Sequence, residues 1–220
     1  MEQVITILIY IHAFFGGVGL LTGIGSIIVK KGSSLHKKLG RVFSYAMITS
    51  SSMAMFISQM PNHKNLFLFL IGLFTIYMVL AGNRALTFKD RTKKKADFRD
   101  KSISGLMLAA SVVMIVIGSI GVFQQLDGAV LYIFFGGFGA FLSLSDFWMF
   151  RTFSKKKNAW LISHLGRMNG ALIASITAFL VVGTGIQSLI VWIAPTVLGT
   201  LYTTYWNIKI RRPKSKSAQA

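Results

Sequence analysis

Few side chains inside the long apolar runs of this chain could take part in chemistry. His12 and Asp146 lie within such runs, and Asp146 is the only carboxylate in any of them. Both share a helix face with small residues, so we expect both to point into a helix bundle. Ionisable groups at such positions are costly and often mark proton or substrate paths. We therefore assign His12 and Asp146 to a substrate or proton site, together with Tyr132, which takes the place of His12 in a second copy of its motif.

A simpler interpretation exists for each of these side chains. Asp146 would neutralise a nearby arginine, with three candidates near the same end of the runs: Arg41, Arg151 and Arg167. His12 would serve only as a hydrogen-bonding group between two helices.

A short motif with a histidine, a glycine and an arginine occurs twice, as His36–Arg41 and as His164–Arg167. Each copy precedes an apolar run and is expected to open a helix. Arg41 and Arg167 are then predicted in first helical turns, where a cation opposes the helix dipole unless an anion compensates. The candidate anions are a lipid phosphate, Asp146 or an acidic group of a ligand.

The histidines of this motif suggest a cofactor site. His36 and His164 are expected at the same end of two related helices, and such a pair could ligate a b-type haem. No cysteine is present, which excludes disulfides, thiolate catalysis and cysteine-bound metal. The four histidines are expected at different depths, so a zinc hydrolase site is not assigned, and no catalytic residue is proposed.

The elements that must position these residues are membrane helices. The chain has 220 residues, of which 53% are hydrophobic and only 14% are charged. Its apolar residues form blocks of helical length, and short alternating strands typical of a membrane barrel are absent. The fold class is therefore all-α, a polytopic bundle of seven transmembrane helices. The predicted spans are 4–29, 40–60, 66–88, 102–123, 129–150, 159–181 and 187–208.

Basic residues alternate between the loops and define an orientation. Every lysine and arginine except Lys64 falls at one end of the predicted spans. The positive-inside rule then places the N-terminus outside and the C-terminus in the cytoplasm, within the bacterial cytoplasmic membrane. The net charge of +18 is thereby explained by cytoplasmic flanks and anionic lipid headgroups, and no nucleic-acid partner is assigned.

An internal repeat organises the chain. Phe14–Gly19 returns as Phe134–Gly139, so spans 1–2 match spans 5–6 in parallel. We expect a single membrane domain over 1–208, with halves of about 1–123 and 124–208, and a basic tail over 209–220. The glycines are predicted to allow close helix packing, and the same faces could also support a homo-oligomer.

The motif residues carry a family resemblance. Ile11–Ala13 with its glycine-rich continuation and His36–Val42 resemble a widespread bacterial family of predicted multi-helix membrane proteins of unknown function, and Trp160–Ala171 resembles a related bacterial membrane-protein pattern. The resemblance implies a membrane location and a histidine-bearing helix bundle, and it implies no reaction. Members often carry a His-Arg-Arg-Trp-Met type motif where the fourth span begins. This chain has Asp97–Ser102 there, without the histidine and the tryptophan.

Three functions remain open at this point. The first is transport of a small solute or a proton-coupled substrate, with a site between helices. The second is a membrane redox protein with a b-type haem. The third is a non-catalytic accessory or assembly protein of the membrane. A polar cavity joining His12 to Asp146 would favour the first, and a continuous apolar core between them would favour the third.

Overall fold

The computed structural model describes residues 2–90, 92–93, 95–186 and 188–211. These residues form helices and connections and contain no β-strand, as the sequence predicts. The seven α-helices are α1 Glu2–Ile28, α2 Ser34–Ile57, α3 Leu66–Ala85, α4 Phe98–Phe123, α5 Ala129–Thr152, α6 Ala159–Ala178 and α7 Leu189–Arg211. A 3-10 turn, Leu86–Lys89, extends α3, and a π-helical turn, Phe179–Gly183, extends α6.

Five of these helices, α1, α3, α4, α5 and α6, are long and apolar enough to cross a membrane. α2 is less apolar because its first turns carry Lys37, Lys38 and Arg41. α7 contains Pro195 and a row of threonines. A multi-pass helical membrane protein follows from the five apolar helices, while the count of seven spans stays a prediction.

Helix starts are decided by side-chain caps that the apolar pattern does not reveal. The Ser33 hydroxyl accepts a hydrogen bond of 3.1 Å from the His36 N–H, so α2 begins at Ser34 rather than at residue 40. Asp97 and Asp100 form a reciprocal capping box, so α4 begins before the predicted residue 102.

The predicted first-turn position of the two motif arginines is wrong. Arg41 and Arg167 do not lie in first helical turns, because α2 and α6 begin at Ser34 and Ala159. α7 continues to Arg211, into the region predicted as a basic tail. The remainder of the predicted tail lies outside the described residues.

The glycine-rich faces pack inside the molecule. A Cβ atom at Gly19 of α1 would lie 2.7 Å from the Met47 sulfur of α2. A Cβ at Gly139 of α5 would lie 2.5 Å from the Ser111 hydroxyl oxygen of α4. The prediction that these glycines allow close helix packing is confirmed, because a side chain at either position would overlap side chains of the neighbouring helix.

The two copies of the repeat pack on different neighbours. The glycine face of α1 packs on the helix that follows it, α2, whereas that of α5 packs on the helix that precedes it, α4. α5 makes only sparse contact with α6. The second copy is thus not a closely packed helix pair, and the parallel repeat stays a prediction about the sequence.

α3 is the central helix of the bundle. It packs against α2, α4 and α6 and makes sparse contact with α5, and the main core forms around its buried aromatic and methionine side chains. α7 packs on α6 and does not pack closely on α5 within the described residues. The core therefore holds α1 to α6 together, and an open cleft is left between α5 and the α6–α7 pair.

Candidate functional site

Asp146 on α5 accepts hydrogen bonds from three other helices. Tyr77 Oη of α3 donates to Oδ2 at 2.6 Å, and Ser104 Oγ of α4 donates to the same oxygen at 3.0 Å. Arg167 Nη2 of α6 donates to Oδ1 at 2.6 Å. Asp146 and Arg167 are only 2% and 5% exposed. The prediction that Asp146 neutralises a nearby arginine is confirmed, and that arginine is Arg167.

The Arg167 side chain makes several contacts, but not all of its hydrogen-bond donors have a partner. Its Nη2 also donates to the Leu142 carbonyl oxygen at 2.7 Å, and its guanidinium carbon lies 5.9 Å from the centre of the Tyr77 ring. Its Nε has no hydrogen-bond partner among the described residues. Because this N–H is buried, it is an unsatisfied donor inside the bundle.

A small cavity lies beside the Asp146 carboxylate. Its volume of about 10 Å³ is close to the space that one water molecule needs. Ser104 and Asp146 line one part of this cavity, and Arg84 and Asp100 line another. A water molecule here would connect two carboxylates that belong to separate ion pairs.

The second ion-pair cluster ties α3 to the start of α4. Arg84 Nε and Lys93 Nζ lie 2.7 Å and 2.6 Å from the two oxygens of Asp100, whose side chain is fully buried. Arg84 also pairs with Asp97. The hydrogen bond from the Asp100 backbone N–H lowers the pKa of the Asp97 carboxyl to about 2, so Asp97 is ionised at neutral pH. Structural ion pairs thus occupy the segment that departs from the family motif.

A larger cavity of about 660 Å³ separates α5 from α6 and α7, with α3 at its floor. We call it the cleft. Its size is within the range of small-molecule sites, ~300–1,000 Å³. The α7 wall is a polar row at helical spacing, formed by Thr196, Thr200, Thr203, Asn207 and Arg211. The α5 wall is mostly apolar and includes Phe135, Phe138, Phe141, Leu142 and Trp148.

The lining of the cleft contains cations and no acidic side chain among the described residues. Arg167 lies in its α6 wall, while Lys156, Lys157 and Arg211 lie at the lysine-rich end of the bundle, which we call the basic end. The Asn207 Oδ1 is buried without a partner in the described part of the chain. Lys156, Lys157 and Arg211 give the mouth a positive potential that favours anions, whereas the charge of Arg167 is balanced by Asp146.

Comparison with known proteins does not identify this site. No protein-family model, curated protein or solved structure matches the chain. The resemblance carried by the His36–Val42 and Trp160–Ala171 motifs therefore stays a prediction. The function must be argued from the cleft and its side chains.

The predicted substrate or proton site is dispersed in the structure. The His12 Nδ1 lies 2.9 Å from the carbonyl oxygen of Ser50 on α2, and His12 lines neither cavity. Tyr132 packs on Phe67, with ring centres 5.0 Å apart. Of the three residues, only Asp146 borders one of these two cavities, and neither cavity reaches His12. The contacts of His12 match its simpler interpretation as a hydrogen-bonding group between helices.

The two predicted haem ligands share one local geometry. The Nδ1 of His36 lies 3.0 Å from the Ser26 carbonyl oxygen, and the Nδ1 of His164 lies 2.8 Å from the Gly82 carbonyl oxygen. A hydrogen bond of this kind places the proton on Nδ1 and leaves Nε2 free to accept a bond or bind a metal. Neither histidine lines the cleft. No cluster of three or more potential metal ligands occurs in the described residues.

The two motif arginines lie in different environments. Arg41 is exposed on the surface of the bundle, whereas Arg167 is buried in the pair with Asp146. Of the three anions considered for Arg167, the carboxylate is the one in contact. Tyr77, Ser104 and the polar row of α7 were not assigned to the site from the sequence. The spacing of the threonines on α7 is the signal that could have identified the row.

Proposed function

We propose that this chain transports small organic anions, and that the solute site is the cleft between α5, α6 and α7. The single observation that carries the proposal is a ligand-sized cavity whose mouth carries three exposed cations, Lys156, Lys157 and Arg211, and whose lining contains no carboxylate within the described residues. Polar and charged groups deep in a membrane bundle usually face a substrate path. The threonine row offers hydroxyl donors along the path without adding charge.

The proposal includes an arrangement in the membrane. All seven helices span the bacterial cytoplasmic membrane, the N-terminus is outside, and the basic end with the mouth of the cleft is cytoplasmic. The parallel repeat relates spans 1–2 to spans 5–6. Exposed cations such as Arg41 contact anionic headgroups. A homo-oligomer would use an outward-facing glycine such as Gly17, where a Cβ would meet no atom within 4 Å.

A solute anion that binds Arg167 competes with the Asp146 carboxylate for the same guanidinium.

The proposal is tested by measuring benzenesulfonate flux into proteoliposomes, because this anion stays charged and crosses bare lipid slowly. The variant Gly166→Phe fills the cleft, since Gly166 lines it and a Cβ there would meet no atom within 4 Å. We expect flux to fall at least about tenfold, a loss of binding on the scale of ~1.4 kcal/mol. Thr200→Trp, on the opposite wall, is expected to do the same.

The matched control is Gly137→Phe. Gly137 has equally open space around its Cβ position but does not line the cleft, so flux should remain near the wild-type value. Absence of protein-dependent flux in the wild type would refute the proposal. Equal flux in Gly166→Phe and Gly137→Phe proteoliposomes would refute the cleft as the path.

A haem-binding redox protein is the second candidate. It is supported by the free Nε2 atoms that the carbonyl bonds of His36 and His164 imply. It ranks second because the lining of the cleft contains neither histidine. An absorption spectrum of the protein purified for the flux assay distinguishes the two candidate functions. A Soret band that disappears when His36 and His164 are both replaced would favour haem. The accessory role remains if neither flux nor a Soret band is found.

A further inference from the structure

We propose that the solute of the cleft is a single-chain amphiphilic anion, an alkyl tail with a carboxylate headgroup, which enters from the lipid leaflet at the basic end. This inference rests on the proposed function and specifies the substrate class of the same site. Four features of the cleft support it: the division of its walls, the placement of its charges, its opening to lipid and its volume.

The walls of the cleft are amphipathic. The α5 wall presents aromatic and aliphatic side chains such as Phe138 and Leu142, whereas the α7 wall presents the threonine row. A small hydrophilic ion would gain nothing from the apolar wall and would lose part of its hydration there. A ligand with a long apolar part buries that part against α5, and each buried methylene adds to its affinity.

The charges of the cleft are concentrated towards one end. Lys156, Lys157 and Arg211 are all exposed side chains at its mouth. The polar row extends from Thr196 to Arg211 along α7, and at ~1.5 Å per helical residue its length is roughly 22 Å. The headgroup is therefore expected at the mouth and the tail along the deeper part of the cleft.

The cleft opens sideways as well as at its mouth. α5 and α7 meet through Phe135 and Trp192, whose ring centres are 6.3 Å apart, and do not pack closely elsewhere in the described part of the chain, so the space between them stays open towards the basic end. Phe141 and Trp148 line the cleft and are 65% and 54% exposed. Large apolar side chains at such an edge suit a path from the lipid rather than from water.

The volume favours one alkyl chain. At about 660 Å³, the cleft lies in the middle of the size range of sites for drug-sized molecules, ~300–1,000 Å³. A two-chain phospholipid is larger than such ligands, so it would leave much of its apolar surface outside the cleft. A fatty-acid-like anion can place both its headgroup and its tail inside.

Binding is measured in nanodiscs of zwitterionic lipid with 11-dansylamino-undecanoate, whose fluorescence increases in an apolar site. The specific signal is the saturable part of the fluorescence increase. It should be absent from the Gly166→Phe variant and present in the Gly137→Phe variant. We expect the double variant Lys157→Gln/Arg211→Gln to raise the dissociation constant about tenfold, because both cations line the mouth. The matched control, Arg151→Gln/Lys155→Gln, removes two neighbouring exposed cations that do not line the cleft, and we expect a change below about twofold.

Competition identifies the ligand class. Dodecanoate should displace the probe at a concentration about a hundredfold lower than butanoate, because the longer tail buries more methylenes. Dodecanol, which lacks the charge, should compete weakly. Equal competition by dodecanoate and butanoate, equal effects of the two charge pairs, or no signal removed by Gly166→Phe would overturn the inference.

The outcome separates this inference from the proposed function. Dodecanoate-sensitive binding without benzenesulfonate flux would refute transport and leave the ligand class standing. Benzenesulfonate flux that dodecanoate and butanoate inhibit equally would refute the ligand class and leave transport standing.

Discussion

At the scale of single residues, the ion pair between Asp146 and Arg167 determines the charge and the stability of the inner wall of the cleft. Both side chains are buried, and the carboxylate takes two further hydrogen bonds, from Tyr77 and Ser104. Removing one partner of a buried ion pair leaves an uncompensated charge, which costs far more than the loss of a surface pair. Arg167 is therefore at once a structural cation and the deepest cation available to a solute.

This argument predicts the stability of three variants. Arg167→Met and Asp146→Asn should each lower the free energy of unfolding by about 3–5 kcal/mol. The double variant should cost clearly less than the sum, because no unpaired charge remains. Reversible unfolding in detergent mixtures gives these values. Arg41→Met, at an exposed arginine of the same motif, is the control, with an expected change within about 0.5 kcal/mol. Equal costs for Arg167→Met and Arg41→Met would contradict the assignment.

At the scale of helices, the repeated Phe-Phe-Gly-Gly segment places its two adjacent glycines in opposite surroundings. A Cβ at Gly136 would lie 3.0 Å from the Ser111 carbonyl oxygen of α4 and 2.9 Å from the Met114 Cβ. A Cβ at Gly137 would meet no atom within 4 Å. Only the first glycine therefore fixes the distance between α4 and α5.

The two alanine variants should have different effects on the free energy of unfolding. Gly136→Ala forces the α4 backbone to move and should destabilise the protein by about 1–3 kcal/mol. Gly137→Ala should be neutral or stabilising by up to about 1 kcal/mol, because alanine favours the helix. The same unfolding measurement compares them. Equal destabilisation by both would show that α5 does not pack on α4 through this face.

At the scale of the whole molecule, the orientation of the bundle determines which compartment the cleft faces. The chain has no cysteine, so a single introduced cysteine is the only thiol. A membrane-impermeant maleimide added to intact cells should label Lys64→Cys at once. It should label Lys155→Cys only after permeabilisation, because the basic end is expected inside. Labelling of both positions from the same side would contradict the seven-span arrangement and the cytoplasmic mouth of the cleft.

Several features of the candidate site could be predicted from residue types and positions. Asp146 was recognised because it is the one carboxylate in an apolar run, and an arginine partner was expected. Choosing Arg167 over Arg41 or Arg151 was not possible, because all three fall near the same ends of their runs. The hydrogen bonds from Tyr77 and Ser104 were also not predictable, since they depend on which helices meet around α5.

The sequence by itself determined the helices, because apolar runs of spanning length must satisfy their backbone groups within a helix. The lysines and glycines determined which ends are basic and which helix faces can approach closely. The tertiary structure alone decided the partners of those faces, because a small-residue face fits a preceding helix as well as a following one. α5 packs on α4 and makes only sparse contact with α6. The cleft is the space that remains between α5 and the α6–α7 pair.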